Sequence, residues 1–306
     1  MKLYKITLLP KSSFGTVLKG DTLFGHFCWM IKYKFGKEKL EQLLTDYKEG
    51  KPFLIVSDGF LSGYLPKPKM PSFCLGEDAS NKKENRKKIW LTLKDLLDSN
   101  FTKAKREDEI VENKDTEEII VKNSLNYLTF TTDKGNFAPY ANKEYFLNKK
   151  DIYVLLDEEQ LNFEEFKEIL QFFSLYGYGK DVTIGKGRFE VESITPLDID
   201  FTSKYFMSLS PFVVRDNEKI EDIYYEPFVR FGKFGAEWAN FNAFKRPVLF
   251  ADSASVIIFK ESQNKKFMGC AIEDIALSEH PEQKKSIQQG YTILLPLKDI
   301  KCKPSN

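Results

Sequence analysis

Residues 177–191 read GYGKDVTIGKGRFEV, four glycines and three cations set between an amphipathic helical pattern and an apolar strand pattern. Gly177, Gly179, Gly185 and Gly187 permit positive φ and carry no Cβ, so successive backbone N–H groups in such a loop can converge on an anion. Lys180, Lys186 and Arg188 supply counter-charge. Beyond the loop, Arg188, Glu190 and Glu192 alternate outward with Phe189, Val191 and, after a one-residue shift, Ile194 inward, as in a half-buried strand. The plainer reading is a turn in which Gly177 ends a helix after Tyr176. Capping alone requires fewer glycines, which favours a loop whose backbone meets a ligand. The spacing fits neither a Walker A loop nor a dinucleotide fingerprint, because Arg188 follows Gly187 and the glycines run from helix to strand.

Upstream, Leu161–Tyr176 places Phe163, Phe166, Ile169, Leu170 and Phe173 on one helical face, after an apolar strand at Asp151–Leu156. Glu164, Glu165 and Glu168 face solvent or a basic partner. At the other end of this unit, Leu3–Leu9 reads as a strand stopped by Pro10. Asp21 is placed to cap a helix whose stripe is Leu23, Phe24, Phe27, Cys28, Met30 and Ile31, with Gly36 as its stop. A second helix over Lys37–Tyr47 and a strand over Phe53–Ser57 follow. The order β-α-β, insertion, β-α-β is that of a ferredoxin-like or RNA-recognition-type domain.

The insertion, at about residues 60–148, opens with SGYLPKPKMP, read as an extended proline arm displaying Lys67 and Lys69. Lys82, Lys83, Arg86, Lys87 and Lys88 then form a cationic run, usually a solvated helical face. EEIIVKN and NYLTFTT read as the strands of a protruding hairpin, with Thr131, Thr132, Lys134, Phe137 and Tyr140 mixing hydroxyls, a cation and aromatics near its end. Such length points to binding.

Pro196–Thr202 reads as a linker, dividing the chain into units at 1–196 and 197–306. In the second unit, FVRFGKFGAEWANFNAFKRP interleaves Phe231, Phe234, Trp238, Phe241 and Phe244 with Lys233, Lys245 and Arg246. Aromatics with cations at this density suit single-stranded RNA, whose bases stack and whose phosphates need charge. A core hairpin with turn glycines is the equal alternative. Gln289-Gly290 before the last strand echoes the first unit and suggests an internal duplication.

The formal charge is +1 over 306 residues, so any basic groove is local: residues 1–40 are rich in lysine, whereas 157–168 are acidic. Cys28, Cys74, Cys270 and Cys302 are scattered and only His26 and His280 are histidines, which argues against a metal site and for free thiols in a reducing cytoplasm. No window approaches a membrane span, and no motif calls for a cofactor. His26 lies beside the first helical stripe. It reads as a helix-flank residue, or in a nuclease as a general acid or base that lacks an identifiable partner.

LLPKSSFGTVLKGDTLFGHFCWMI, running through Lys19-Gly20-Asp21 into the first helix, resembles the RAMP superfamily of CRISPR RNA-binding subunits. SGYLPKPKMP, GYGKDVTIGKGRFEV and QQGYTILLPL extend the match over most of the chain, most similar to the family of fourth subunits in type III-A Csm effector complexes. The resemblance implies an α+β protein of two tandem ferredoxin-like domains with an inserted thumb hairpin. It implies a non-catalytic antiviral role: holding the 5′ repeat-derived handle of the CRISPR RNA and docking the large polymerase-type subunit and the backbone subunit. Candidate RNA contacts are Lys19, Gly20, Lys67, Lys69, Thr131, Thr132, Lys134, Phe137, Tyr140, Lys180, Gly185, Lys186, Gly187, Arg188, Lys233, Trp238, Lys245 and Arg246, the amides of residues 185–187 gripping phosphates. The alternative is a metal-independent RAMP-type endoribonuclease using His26.

Overall fold

The computed structural model describes residues 1–132, 135–215, 219–240, 242–300 and 302. β1 (Lys2–Pro10) leads to α1 (Gly20–Phe35), α2 (Lys37–Lys48) and the short β2 (Leu54–Val56). The inserted segment follows: β3 (Phe60–Leu61), β4 (Tyr64–Pro66), α3 (Lys82–Lys87), β5 (Trp90–Thr92), α4 (Leu93–Leu97), β6 (Thr116–Lys122) and β7 (Tyr140–Phe146). β8 (Lys150–Leu156), α5 (Phe163–Tyr176) and β9 (Phe189–Leu197) complete the first sheet, ordered β2-β8-β1-β9 with β3 also on β8. The first strand lies between the last and the third with the second at the edge, which is the ferredoxin-like arrangement, and every pairing is antiparallel.

Burial explains the elements. All seven residues of β8 are buried, as expected of a central strand covered on both faces. α1 buries Leu23, Phe24, Phe27, Met30 and Ile31 and ends at Gly36, while α5 buries Phe166, Ile169, Leu170 and Phe173. Each fully buried side chain of this kind is worth about 1.5–3 kcal/mol. The exposed Glu164–Lys167 pair on α5 contributes at most about 0.5 kcal/mol, so packing places the helix. The one-residue shift in β9 is real: Ser193 pairs with Thr7 and Val191 with Leu8, leaving Glu192 as a bulge.

The rest of the chain runs through β10 (Thr202–Ser208), β11 (Ile220–Tyr224), β12 (Pro227–Arg230), β13 (Val248–Ala251), β14 (Val256–Asn264), β15 (Phe267–Ile272) and, after the one-turn α6 (Pro281–Lys284), β16 (Gln288–Leu297). β12 and β13 form a separate hairpin; the rest are ordered β11-β14-β10-β16-β15. Without β15, which folds back on β16, this is the ferredoxin-like order again, and α6 is the one α-helix of this half among the described residues. The architecture is α+β.

One hydrophobic core joins the sheets, running from Leu3, Ile6 and Val154 to Met207, Val256, Ile293 and Leu295. Gln288, Gln289 and Tyr291 bind across the junction. Gln288 Nε2 donates to Asp21 at 2.9 Å, the Gln289 amide both accepts from Val56 N–H (2.9 Å) and donates to Val56 C=O (2.8 Å), and Tyr291 OH donates to the Tyr47 carbonyl at 2.9 Å.

Several expectations are corrected. Asp21 is not the helix cap: it sits inside the first turn of α1, buried, and its carboxylate takes two bonds from Arg230, at 2.8 and 2.7 Å. The thumb strand opposite β6 is YANKEYF rather than NYLTFTT, because 126–131 closes on itself through the Asn126–Thr131 bridge. The proline arm is not free, since residues 64–66 pair with β5. Cys74 and Cys302 are joined as a disulfide, Cα–Cα 4.5 Å, so two thiols remain, Cys28 and Cys270. Among the described residues no helix is long and apolar enough to cross a membrane and no three metal-ligating side chains cluster.

Candidate nucleic-acid interface

The glycine loop is anchored from beneath by three aromatic and histidine side chains of the core. Tyr178 is fully buried, donates its hydroxyl to Val17 C=O at 2.7 Å and accepts from Lys19 N–H at 3.2 Å; burial raises its pKa. His26 stacks on Phe173 at 5.3 Å, and its Nε2 accepts from Gly179 N–H at 3.0 Å. Burial lowers the His26 pKa to about 4, which keeps the ring neutral and the acceptor lone pair available.

All four glycines have positive φ, 94° at 177, 84° at 179, 88° at 185 and 69° at 187. Gly187 is the most constrained: a Cβ there would overlap the Tyr178 carbonyl oxygen. The amides expected to grip an anion point inward. Gly185 N–H donates to Val182 C=O (3.0 Å), Lys186 N–H to Asp181 C=O (3.2 Å) and Gly187 N–H to Ser13 C=O (2.9 Å). The glycines thus allow a tight fold-back, and what the loop offers outward is its side chains.

Those side chains differ in availability. Lys186 Nζ binds Glu144 and, at 2.7 Å, Ser13 Oγ. The Lys186 bond holds the buried Glu144 carboxyl down to about 2, with Ser13 and Lys122 adding to it. Lys180 Nζ reaches Asn142 Oδ1 of the thumb at 2.6 Å. Arg188 is exposed, its N–H on Ser12 Oγ at 3.0 Å and its guanidinium without a partner among the described residues. The exposed tip of the thumb lies in the same inserted region: Tyr127, Leu128 and Phe130 are 82, 92 and 76% exposed. Thr131 and Thr132 are exposed beside them, Tyr140 begins β7, and Phe137 lies in a half-buried helical turn. Lys134 lies outside the described residues.

The other candidates sit elsewhere. Lys19 is held between Asp58 (2.8 Å) and Asp252 (2.7 Å); burial works to lower its pKa, and the two carboxylates outweigh that and leave it raised. Gly20 is buried beneath Ser210, whose Cβ would lie 2.8 Å from an added Cβ. Lys69 pairs with Asp252 (2.8 Å) and Glu226 (2.9 Å), and Lys67 with Glu77 (2.5 Å). In the aromatic segment, Trp238 packs edge-on against Trp29 at 5.1 Å and Lys245 Nζ lies over Phe234 at 4.8 Å. Lys233 covers the ring of Phe244 at 4.6 Å, and Arg246 pairs with Asp274. The structure therefore ties Lys180 and Lys186 to Asn142 and Glu144 of the thumb, with Arg188 beside them in the chain, whereas the cations of the aromatic segment lie on its own rings or on Asp274. Glu144 and Ser13, which fix Lys186, escaped the sequence reading because nothing local marks a partner 42 or 173 residues away.

No family model and no curated protein matches the sequence. The structure does have solved counterparts. A chain of the Csm1–Csm4 cassette in complex with pppApA matches with TM-score 0.61 at 18% identity, covering 99% of this chain and 100% of that one. A chain of the Csm3–Csm4 subcomplex in the type III-A CRISPR–Cas interference complex matches with TM-score 0.62 at 19% identity, covering 98% and 100%. The Csm1–Csm4 cassette in complex with cA4 gives 0.62 at 18%, covering 97% and 98%. Likeness at that identity speaks for fold, and it spans both sheets and the insertion: the chain shares its overall fold with chains of the Csm1–Csm4 and Csm3–Csm4 assemblies.

Proposed function

We propose that this chain is a non-catalytic subunit of a type III-A CRISPR effector complex, holding the 5′ repeat-derived handle of the CRISPR RNA and docking a large polymerase-type subunit to the backbone subunit in the cytoplasm. The observation that carries the reading is the end-to-end likeness to chains from both Csm1–Csm4 and Csm3–Csm4 assemblies. In this reading residues 1–196 and 197–306 are the two ferredoxin-like domains, with the insertion at about 60–148 as the thumb. The RNA face is the outer side of the glycine loop and the adjacent thumb. Arg188 and Lys180 meet phosphates there, and exposed aromatics such as Tyr140 stack bases for about 1–3 kcal/mol each. Lys19, Lys67 and Lys69 act indirectly, by fixing the loop and arm through their ion pairs.

His26 has a structural role in this reading: its Nε2 lone pair is committed to Gly179 N–H. The test is to reconstitute the chain with its candidate partner subunits and a repeat-bearing single-stranded RNA, titrating salt with and without magnesium. Intact RNA retained through its 5′ handle, with affinity falling as salt rises, is the expected result. A defined cut that disappears in His26→Ala would replace this reading with the endoribonuclease.

A further inference from the structure

At the junction of the two sheets, α1 and α2 meet the aromatic segment around a cavity of about 120 Å³. Its walls are aromatic: the rings of Trp29 and Trp238 stand edge to face at 5.1 Å, and Phe234 meets Trp238 at 5.6 Å. A closed, dry cavity of about 150 Å³ is known to hold one benzene ring; this one is somewhat smaller but open at its mouth, so a single ring is accommodated with its substituent directed outward. We propose that this cavity binds a small single-ring aromatic carboxylate, the ring packed against the wall formed by Trp29, Trp238 and Phe234 and the carboxylate on the Lys245 ammonium.

The charge pattern selects the anion. Three lysines at the mouth are already compensated, Lys32 by Glu237 (2.9 Å), Lys37 by Glu282 (2.9 Å) and Lys285 by Glu41 (3.8 Å). Lys245 has no hydrogen bond or ion pair from its ammonium among the described residues; its contact is the face of Phe234 at 4.8 Å. Asp21, the carboxylate acting on it through space, is committed to Arg230. Burial lowers the Lys245 pKa to about 8, the signature of an ammonium short of solvation. One carboxylate would restore that lost solvation, whereas a cation would meet repulsion and a neutral ring would leave the ammonium as it is.

The experiment titrates the full-length protein with benzoate, benzyl alcohol and benzylammonium at neutral pH. It follows tryptophan fluorescence, to which Trp29 and Trp238 contribute, together with the melting temperature and ligand-observed NMR. Saturable one-site benzoate binding that raises the melting temperature is expected, with the alcohol at least tenfold weaker and the ammonium ligand silent. Lys245→Met should weaken benzoate at least tenfold while melting no lower than wild type. Lys245→Gln, which keeps a donor without the charge, serves as a second variant should the methionine protein fold poorly. Non-saturable benzoate binding, equal binding of the three probes, or unchanged affinity in the folded Lys245 variants would overturn the proposal.

Discussion

His26 and Gly179 are joined by a 3.0 Å hydrogen bond in which the imidazole is the acceptor and the loop amide the donor. That bond requires a neutral ring. The folded pKa is lowered to about 4 by burial, against about 6.5 for an unfolded histidine. Between those values the unfolded chain binds a proton that the folded chain refuses, so stability falls as pH falls from about 6.5 to about 4. At pH 5 the expected loss from this residue is about 1–2 kcal/mol. His26→Gln, whose side-chain carbonyl can still accept from Gly179, should flatten the slope. Denaturant titrations of both proteins from pH 7 to 4.5 measure it, and parallel curves would show that His26 does not carry the effect.

Gly187→Ala should cost about 3 kcal/mol or more, since the new Cβ must displace the Tyr178 carbonyl at a φ of 69°. Gly185→Ala, with open space around the Cβ, carries only the strain of its positive φ. A melting-temperature loss several degrees greater for Gly187→Ala is expected; equal losses would mean that crowding at Tyr178 is not what fixes the loop.

Arg188→Ala removes a guanidinium that has no partner among the described residues. In the reconstituted complex it should weaken handle RNA and lower the single-strand salt slope by about 0.7. Lys186→Ala should instead lower the melting temperature, because it leaves the buried Glu144 with less compensation. RNA loss without a slope change for Arg188→Ala would remove Arg188 from the RNA face.

Lys19→Met leaves the buried carboxylate of Asp58 short of its cation and should cost about 3–5 kcal/mol. The double variant Lys19→Met, Asp58→Asn should recover part of that loss, and chemical denaturation of the single and double variants gives the coupling. Additive losses would mean that the two residues act independently.

The first unit was legible because its signals are local. The stripe on α5, the continuous apolar run of β8, the glycine stop after α1 and even the bulge in β9 follow from neighbouring residues. The thumb register was not legible, because YANKEYF shows little alternation and NYLTFTT is rich in β-formers; a close-range turn at 126–131 outweighed propensity. The candidate site divided along the same line. Arg188 and Lys180 declare themselves by exposure within a glycine loop. Lys19, Lys69 and Lys245 look identical to them in sequence, and only contacts 39, 183 and 11 residues away separate paired or half-buried cations from exposed ones.

The Gln289 side chain, meeting both backbone groups of Val56, does for the edge of the first sheet what a neighbouring strand would do. That edge is therefore sealed by the other half of the same molecule. Severed in the 198–201 connection, the first half would present an unpaired strand edge at Val56 and the second the unsatisfied Gln289 amide. The two ferredoxin-like units share one hydrophobic core and these junction bonds, so a contact that holds one of them also positions the other.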